Sequence, residues 1–127
     1  MNNQKFVTAI NCMDGRVQLP VIEWMKKMYQ ADYIDMITEP GPNKILAENK
    51  PDPVINSLKK KVEISVNKHK STCVAIIGHF DCAGNPVEKE TQVHQIHEAI
   101  QTVHSWGLKV TVIGLWIDEQ WTVHKIE

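Results

Sequence analysis

Thr72-Cys73-Val74-Ala75-Ile76-Ile77-Gly78-His79-Phe80-Asp81-Cys82 is the stretch whose reading decides the fold. Thr72 to Gly78 is the most strand-like run of the chain, and a short apolar run closed by Gly reads as a buried strand. His79 follows it directly and Cys82 lies three residues on, so both cluster at the strand's carboxyl end. Lys5 to Asn11 (KFVTAIN) has the same character and runs into Cys12-Met13-Asp14-Gly15-Arg16. Two distant sets of chemistry-bearing residues therefore each cap an apolar strand.

The intervening segments read as helices and further strands. Pro20 fits a first helical turn and Val21, Trp24, Met25 and Met28 recur at helical spacing, which predicts a helix over about 19–30. Tyr33 to Thr38 (YIDMIT) reads as a strand stopped by Glu39-Pro40-Gly41-Pro42-Asn43, where the prolines forbid ladder pairing and predict a rigid loop. Asp52-Pro53 is an N-cap followed by a first-turn proline, and Val54, Ile55, Leu58, Val62 and Val66 mark one face of a helix to about His69. Val93, Ile96, Ile100 and Val103 mark another, ended by Gly107. Lys109 to Leu115 (KVTVIGL) reads as the next strand, and Trp121 to Ile126 as a short edge strand folding back after Asp118-Glu119-Gln120.

Strand and helix in alternation predict an α/β fold: a mainly parallel sheet covered by helices on both faces, with right-handed crossovers. Such sheets bind ligands beyond the carboxyl ends of the strands, where strand order reverses. If the strands ending at Cys12 and His79 are neighbours there, Cys12 meets His79 and Cys82. At 127 residues the chain is expected to be a single domain, residues 1–127, with no repeat, low-complexity run or linker.

A net charge of −1 with mixed signs is not the basic field of a nucleic-acid binder, and no apolar run approaches the ~18 residues of a membrane helix. A small molecule or another copy of the chain is the expected partner. Three Cys, an odd number, without a leader-like basic and apolar opening, predict reduced thiols and a cytoplasmic protein.

Zinc takes Cys sulfur and His nitrogen in tetrahedral geometry, and Cys12, His79 and Cys82 would supply three ligands, leaving a position for water or for Asp14. An Arg fork binds a carboxylate bidentately, so Arg16 can decide whether Asp14 blocks or serves the metal. The bland alternatives are weighed beside this. Buried Cys at strand ends are commonly small core hydrophobes, and Cys73, inside a strand without a partner, is read so. Cys12 and Cys82 are alternatively a redox dithiol. His94, His97 and His104 are read as solvated helix-face residues rather than a metal pair or proton relay. Asp81 either accepts from Arg16 or caps a helix after Cys82, and the cap is the preferred reading. Gly15 and Gly84 are read as loop residues permitting positive φ. Trp106, Trp116 and Trp121 belong to the core or to a subunit interface, and sequence alone does not separate these.

Cys12-x-Asp14-x-Arg16 and His79-x-x-Cys82, together with Leu115-Trp116-Ile117-Asp118 and Trp121-Thr122-Val123, resemble the signature motifs and last strands of the β-class carbonic anhydrases. The resemblance extends over most of the chain, in a short and divergent form. It implies a sheet of order 2-1-3-4 with a fifth, antiparallel edge strand. It also implies zinc held by Cys12, His79 and Cys82, with Asp14 either as fourth ligand or drawn aside by Arg16 to accept a hydrogen bond from zinc-bound water. Zinc lowers the pKa of such water to roughly 7, making a hydroxide that attacks carbon dioxide reversibly to give bicarbonate. A homodimer or larger homo-oligomer is implied too. Family members are generally longer, with an N-terminal arm and extra helices, and carry Ala-Gly-Asn where this chain has Glu39 to Asn43. The resemblance therefore also admits a zinc-binding relative without turnover, or a hydrolase of carbonyl sulfide or carbon disulfide.

Overall fold

The computed structural model describes residues 4–127. Strands β1 (Phe6–Cys12), β2 (Tyr33–Glu39), β3 (Cys73–His79), β4 (Thr111–Ile117) and β5 (Val123–Lys125) form one five-stranded sheet in the order β2-β1-β3-β4-β5. All neighbours are parallel except β4 and β5, which are antiparallel. Helices α1 (Gln18–Tyr29), α2 (Pro42–Glu48), α3 (Pro53–Asn67) and α4 (Lys89–His104) make the crossovers. This is the expected α/β architecture and strand order.

Every residue of β3 is buried, and its side chains alternate between two apolar layers, as a sheet covered on both faces requires. Ala75 and Ile77 join Val7, Ala9, Ile113 and Leu115 beneath Val21 and Met25 of α1. Val74 and Ile76 join Ile10 and Val112 against Leu46 of α2, Leu58 and Val62 of α3, and Ile96 and Ile100 of α4. Each fully buried Ile or Leu contributes roughly 1.5–3 kcal/mol relative to exposure, so the two layers, not local propensity, hold the sheet. Among the described residues no helix is long and apolar enough to cross a membrane.

Local chemistry sets the helix ends. Asp52 is extended at φ −159° and its Oδ1 accepts from the Val54 N–H at 2.6 Å, while Pro53 opens α3. Met28, assigned above to the apolar face of α1, is instead 52% exposed. Stretch 39–43 is not simply a rigid loop: after a break at Pro40-Gly41 it enters α2 at Pro42. Proline's missing N–H is no loss at a first helical position, and Gly41 at φ +57° turns the chain into it. A seven-residue helix is too short to show a periodic apolar face in sequence. The edge strand is also shorter than Trp121 to Ile126, because Trp121 takes a left-handed φ of +61° in the preceding turn.

The strand order reverses between β1 and β3. Their pairing ends at Ile10↔Ile76, so the tips carrying Cys12 and His79 flank an opening at the switch point.

Candidate metal centre

Cys12 is the last residue of β1 and His79 the last of β3. The loop after Cys12 is tied down on several sides. Asn11 Oδ1 accepts from the Cys12 N–H at 2.8 Å, Gln18 Nε2 donates to the Cys12 carbonyl at 2.7 Å, and the Met13 N–H donates to the Glu39 carbonyl at 3.2 Å. After His79 the Phe80 N–H donates to the Ile117 carbonyl at 2.9 Å, and Asp81 takes a left-handed φ of +58° that folds Cys82 back. As a result Cys12 Sγ, a ring nitrogen of His79 and Cys82 Sγ lie within 4.8 Å of one another, and the sulfurs are 3.8 Å apart. The three residues are 3%, 1% and 3% exposed.

The donor set is prepared for a cation. His79 Nδ1 donates to the Phe80 carbonyl at 2.7 Å, since a carbonyl can only accept, and this leaves Nε2 pointing elsewhere. His79 Nε2 is buried and has no hydrogen-bond partner, an expensive state for a polar atom unless its lone pair is used. The two sulfurs share a proton: the Cys82 thiol stabilises a Cys12 thiolate, pulling Cys12 down to about 4 despite its burial, while Cys82 is pushed strongly up. Burial pulls the His79 imidazole down, but the Cys12 sulfur and the Phe80 carbonyl outweigh it and the net shift is upward. The lowered Cys12 thiol favours the thiolate form that a soft metal site requires.

Asp14 is not among the converging side chains. Its Oδ1 accepts from the Arg16 N–H at 2.9 Å and from Arg16 Nε at 3.0 Å, and its Oδ2 accepts from Arg16 Nη2 at 2.7 Å. That fork, opposed only weakly by burial, holds the Asp14 carboxyl down at about 2, so it stays ionised. Asp81 caps no helix, which corrects the preferred sequence reading. The helix after Cys82 starts only at Lys89, and Asp81 Oδ2 instead accepts from Arg16 Nη1 at 3.2 Å. Gly15 and Gly84 do not supply positive φ either; Gly41 and Gly107 do, with Asp81. Gly84 is needed for close approach, since a Cβ there would stand 2.6 Å from Pro40 Cβ and 2.7 Å from the Pro40 carbonyl carbon.

Cys73 is buried core, and burial raises its thiol. His94, His97 and His104 lie on α4, away from the centre; the first two pair with Glu98 and Glu127. Of Trp106, Trp116 and Trp121, Trp116 is buried, whereas Trp106 and Trp121 are half-buried. A cavity of about 590 Å³ is lined by Phe80, Asp81, Val87, Trp116 and His124 among others, and neither Cys12, His79 nor Cys82 lines it.

Sequence reasoning missed the layer behind His79. Gln92, fully buried on α4, accepts from the His79 N–H at 3.1 Å through Oε1 and donates to the His79 carbonyl at 2.8 Å through Nε2. Asn43 Nδ2 bonds Gln92 Oε1 at 3.3 Å, and Asn85 Nδ2 bonds Gln95 Oε1 at 2.7 Å. The signal available was spacing, since Gln92 stands four residues before Ile96, in line with the apolar face of α4. Gln92→Leu strips two partners from the His79 backbone and is expected to cost about 2 kcal/mol, read as a lower urea midpoint at unchanged slope.

Residues 2–127 match a protein-family model described as "Putative carbonic anhydrase". No curated protein matches the sequence. Among solved structures, one from a study of two tetrameric β-carbonic anhydrases of the filamentous ascomycete Sordaria macrospora superposes with a TM-score of 0.56 at 12% identity, covering 98% of this chain and 82% of that one. The β-carbonic anhydrase CcaA superposes with a TM-score of 0.58 at 14% identity, covering 98% and 81%. The β-carbonic anhydrase CafD of Aspergillus fumigatus gives 0.55 at 12% identity, covering 100% and 91%. At these identities the likeness is one of fold.

Proposed function

This chain belongs to the carbonic anhydrase family and has the β-carbonic anhydrase fold, and on that premise we propose that it hydrates carbon dioxide reversibly to bicarbonate, with zinc held by Cys12, His79 and Cys82. What carries the proposal is the convergence of two sulfurs and the orphaned His79 Nε2 while Asp14 is engaged elsewhere. Two sulfurs at ~2.3 Å from a tetrahedral ion stand roughly 3.8 Å apart. The 3.8 Å separation of the two sulfurs matches that spacing.

Bound there, zinc supplies the acidity that makes water a nucleophile near neutral pH. The chain's own residues do the rest. Cys12 and Cys82 give up their shared proton and bring negative charge. His79 is held in one tautomer by the Phe80 carbonyl, which keeps Nε2 available for the ion. Asp14, ionised and turned aside by Arg16, leaves the fourth position open and keeps acceptor capacity for a hydrogen bond from a water that enters it. The same reading makes the protein cytoplasmic and self-associating. Three free thiols support the compartment, and the relative described as tetrameric supports association.

Stopped-flow hydration tests it. Zinc-loaded protein is expected to hydrate carbon dioxide well above buffer, to lose this on chelation and to regain it with zinc. Hydrogen sulfide release from carbonyl sulfide or carbon disulfide without carbon dioxide hydration would reassign the substrate. A full complement of zinc with no turnover, even at alkaline pH, would leave only a zinc-binding relative.

A further inference from the structure

We infer that Trp121 is a positioning residue of this centre: its ring pins the Arg16 guanidinium, so that Asp14 stays turned away from the fourth metal position. The inference rests on the metal reading above.

Arg16 Cζ lies 4.6 Å from the centroid of the Trp121 ring. The same guanidinium is bonded around its edge, to Asp14 through Nε and Nη2, to Asp81 Oδ2 through Nη1 at 3.2 Å and to the Asp81 carbonyl through Nη2 at 3.1 Å. Guanidinium donors lie in the plane of the group, so these bonds resist motion within it and leave the faces unguarded. The indole covers one face. The Arg16 side chain is 46% exposed, and an ion pair that exposed is weakly held by charge alone. Aromatic contact is therefore what distinguishes a fixed fork from a mobile one.

The backbone points the same way. Trp121 sits at φ +61°, a left-handed conformation that suits Gly or Asn and is strained for a bulky side chain. The turn between β4 and β5 enforces it. The Trp121 N–H donates to the Asp118 carbonyl at 2.9 Å, and Asp118 Oδ1 accepts from the Gln120 and Thr122 N–H groups at 2.9 and 3.0 Å. Asp118 Oδ2 is in turn held by His124 Nε2 at 2.7 Å. Nothing in the turn requires an indole at its strained position. The ring packs against the apolar layer beneath α1 and carries Arg16 on its face, with the His79 ring 6.5 Å away.

Cobalt(II) in place of zinc gives the test, because its visible spectrum reports the fourth ligand, with thiocyanate as the probe for an open position. The parent is expected to bind cobalt and thiocyanate. Trp121→Leu keeps apolar bulk without a π face and should weaken thiocyanate binding by roughly 2- to 30-fold, the range a cation–π contact supplies, as Asp14 enters the shell. Trp121→Phe should fall between the two. Adding Asp14→Ala to Trp121→Leu should restore the affinity. An unchanged affinity in Trp121→Leu or Trp121→Phe, or a loss that persists without the Asp14 carboxylate, would overturn the role of Trp121 and leave the metal reading intact. A parent that takes up no cobalt would overturn both.

Discussion

Cys82→Ala protein offered zinc is expected to hydrate carbon dioxide no faster than buffer and to retain less than its share of metal. Removing Cys82 takes away one of three converging donors and also the hydrogen bond that lowers the Cys12 thiol most. Of the three converging donors only Cys12 Sγ and His79 Nε2 would then remain to hold an ion, and a two-ligand site cannot fix a tetrahedral geometry. Loss of an outer partner of a metal ligand costs ~10- to 100-fold in affinity or activity, and loss of a ligand itself should exceed that. The apo variant stays folded, because the apolar layers on both faces of the sheet, not the sulfur pair, hold β1 beside β3. Circular dichroism checks the fold, elemental analysis the zinc, and stopped-flow mixing the rate. Equal rates in parent and variant would remove Cys82 from the site.

Gly41→Ala is expected to lower stability by about 2–5 kcal/mol, from ~1–2 kcal/mol for a left-handed φ in a residue with a Cβ and ~1–3 kcal/mol for overpacking. Gly41 has φ +57°, and a Cβ there would stand 2.7 Å from Asn85 Cβ and 3.0 Å from the Gly84 carbonyl oxygen. Backbone cannot retreat as a flexible side chain can. The segment it would push follows Cys82, since the Asn85 N–H donates to the Cys82 carbonyl at 3.2 Å, so zinc affinity should fall along with stability. Gly107 separates the two causes: it has φ +73° with nothing within 4 Å, and Gly107→Ala should show the conformational part alone. Denaturant unfolding of both variants reads the difference. A Gly41→Ala cost no larger than that of Gly107→Ala would show that the two loops are not interlocked.

The legible parts of the chain share one property, a pattern long enough to repeat. Val74 to Ile77 in a seven-residue buried strand, or Leu58 and Val62 below the Asp52 cap, announce themselves through period and capping. Pro42 to Glu48 does not, because two turns of helix cannot establish a period. Asp81 was misassigned for a related reason. An acidic residue beside an expected helix start looks like a cap, yet its partner Arg16 lies 65 positions earlier in the chain. Gln92 carried no motif and Trp121 stood only in a segment resembling a family edge strand, so each matters through what the fold places against it.

By itself, then, the order of residues determined the alternation of strands and helices, the two strand ends where Cys12, His79 and Cys82 stand, and the Asp14/Arg16 pair, since each is written in spacings of a few residues. Tertiary structure alone decided that the two sulfurs stand 3.8 Å apart, that Arg16 holds Asp14, that Gln92 bonds the His79 backbone and that the Trp121 ring covers Arg16. The physical reason is that hydrophobic periodicity specifies which face of an element is buried. Hydrogen bonds, cation–π contacts and backbone clashes depend instead on ångström distances between segments remote in the chain, and these exist only once the sheet has closed.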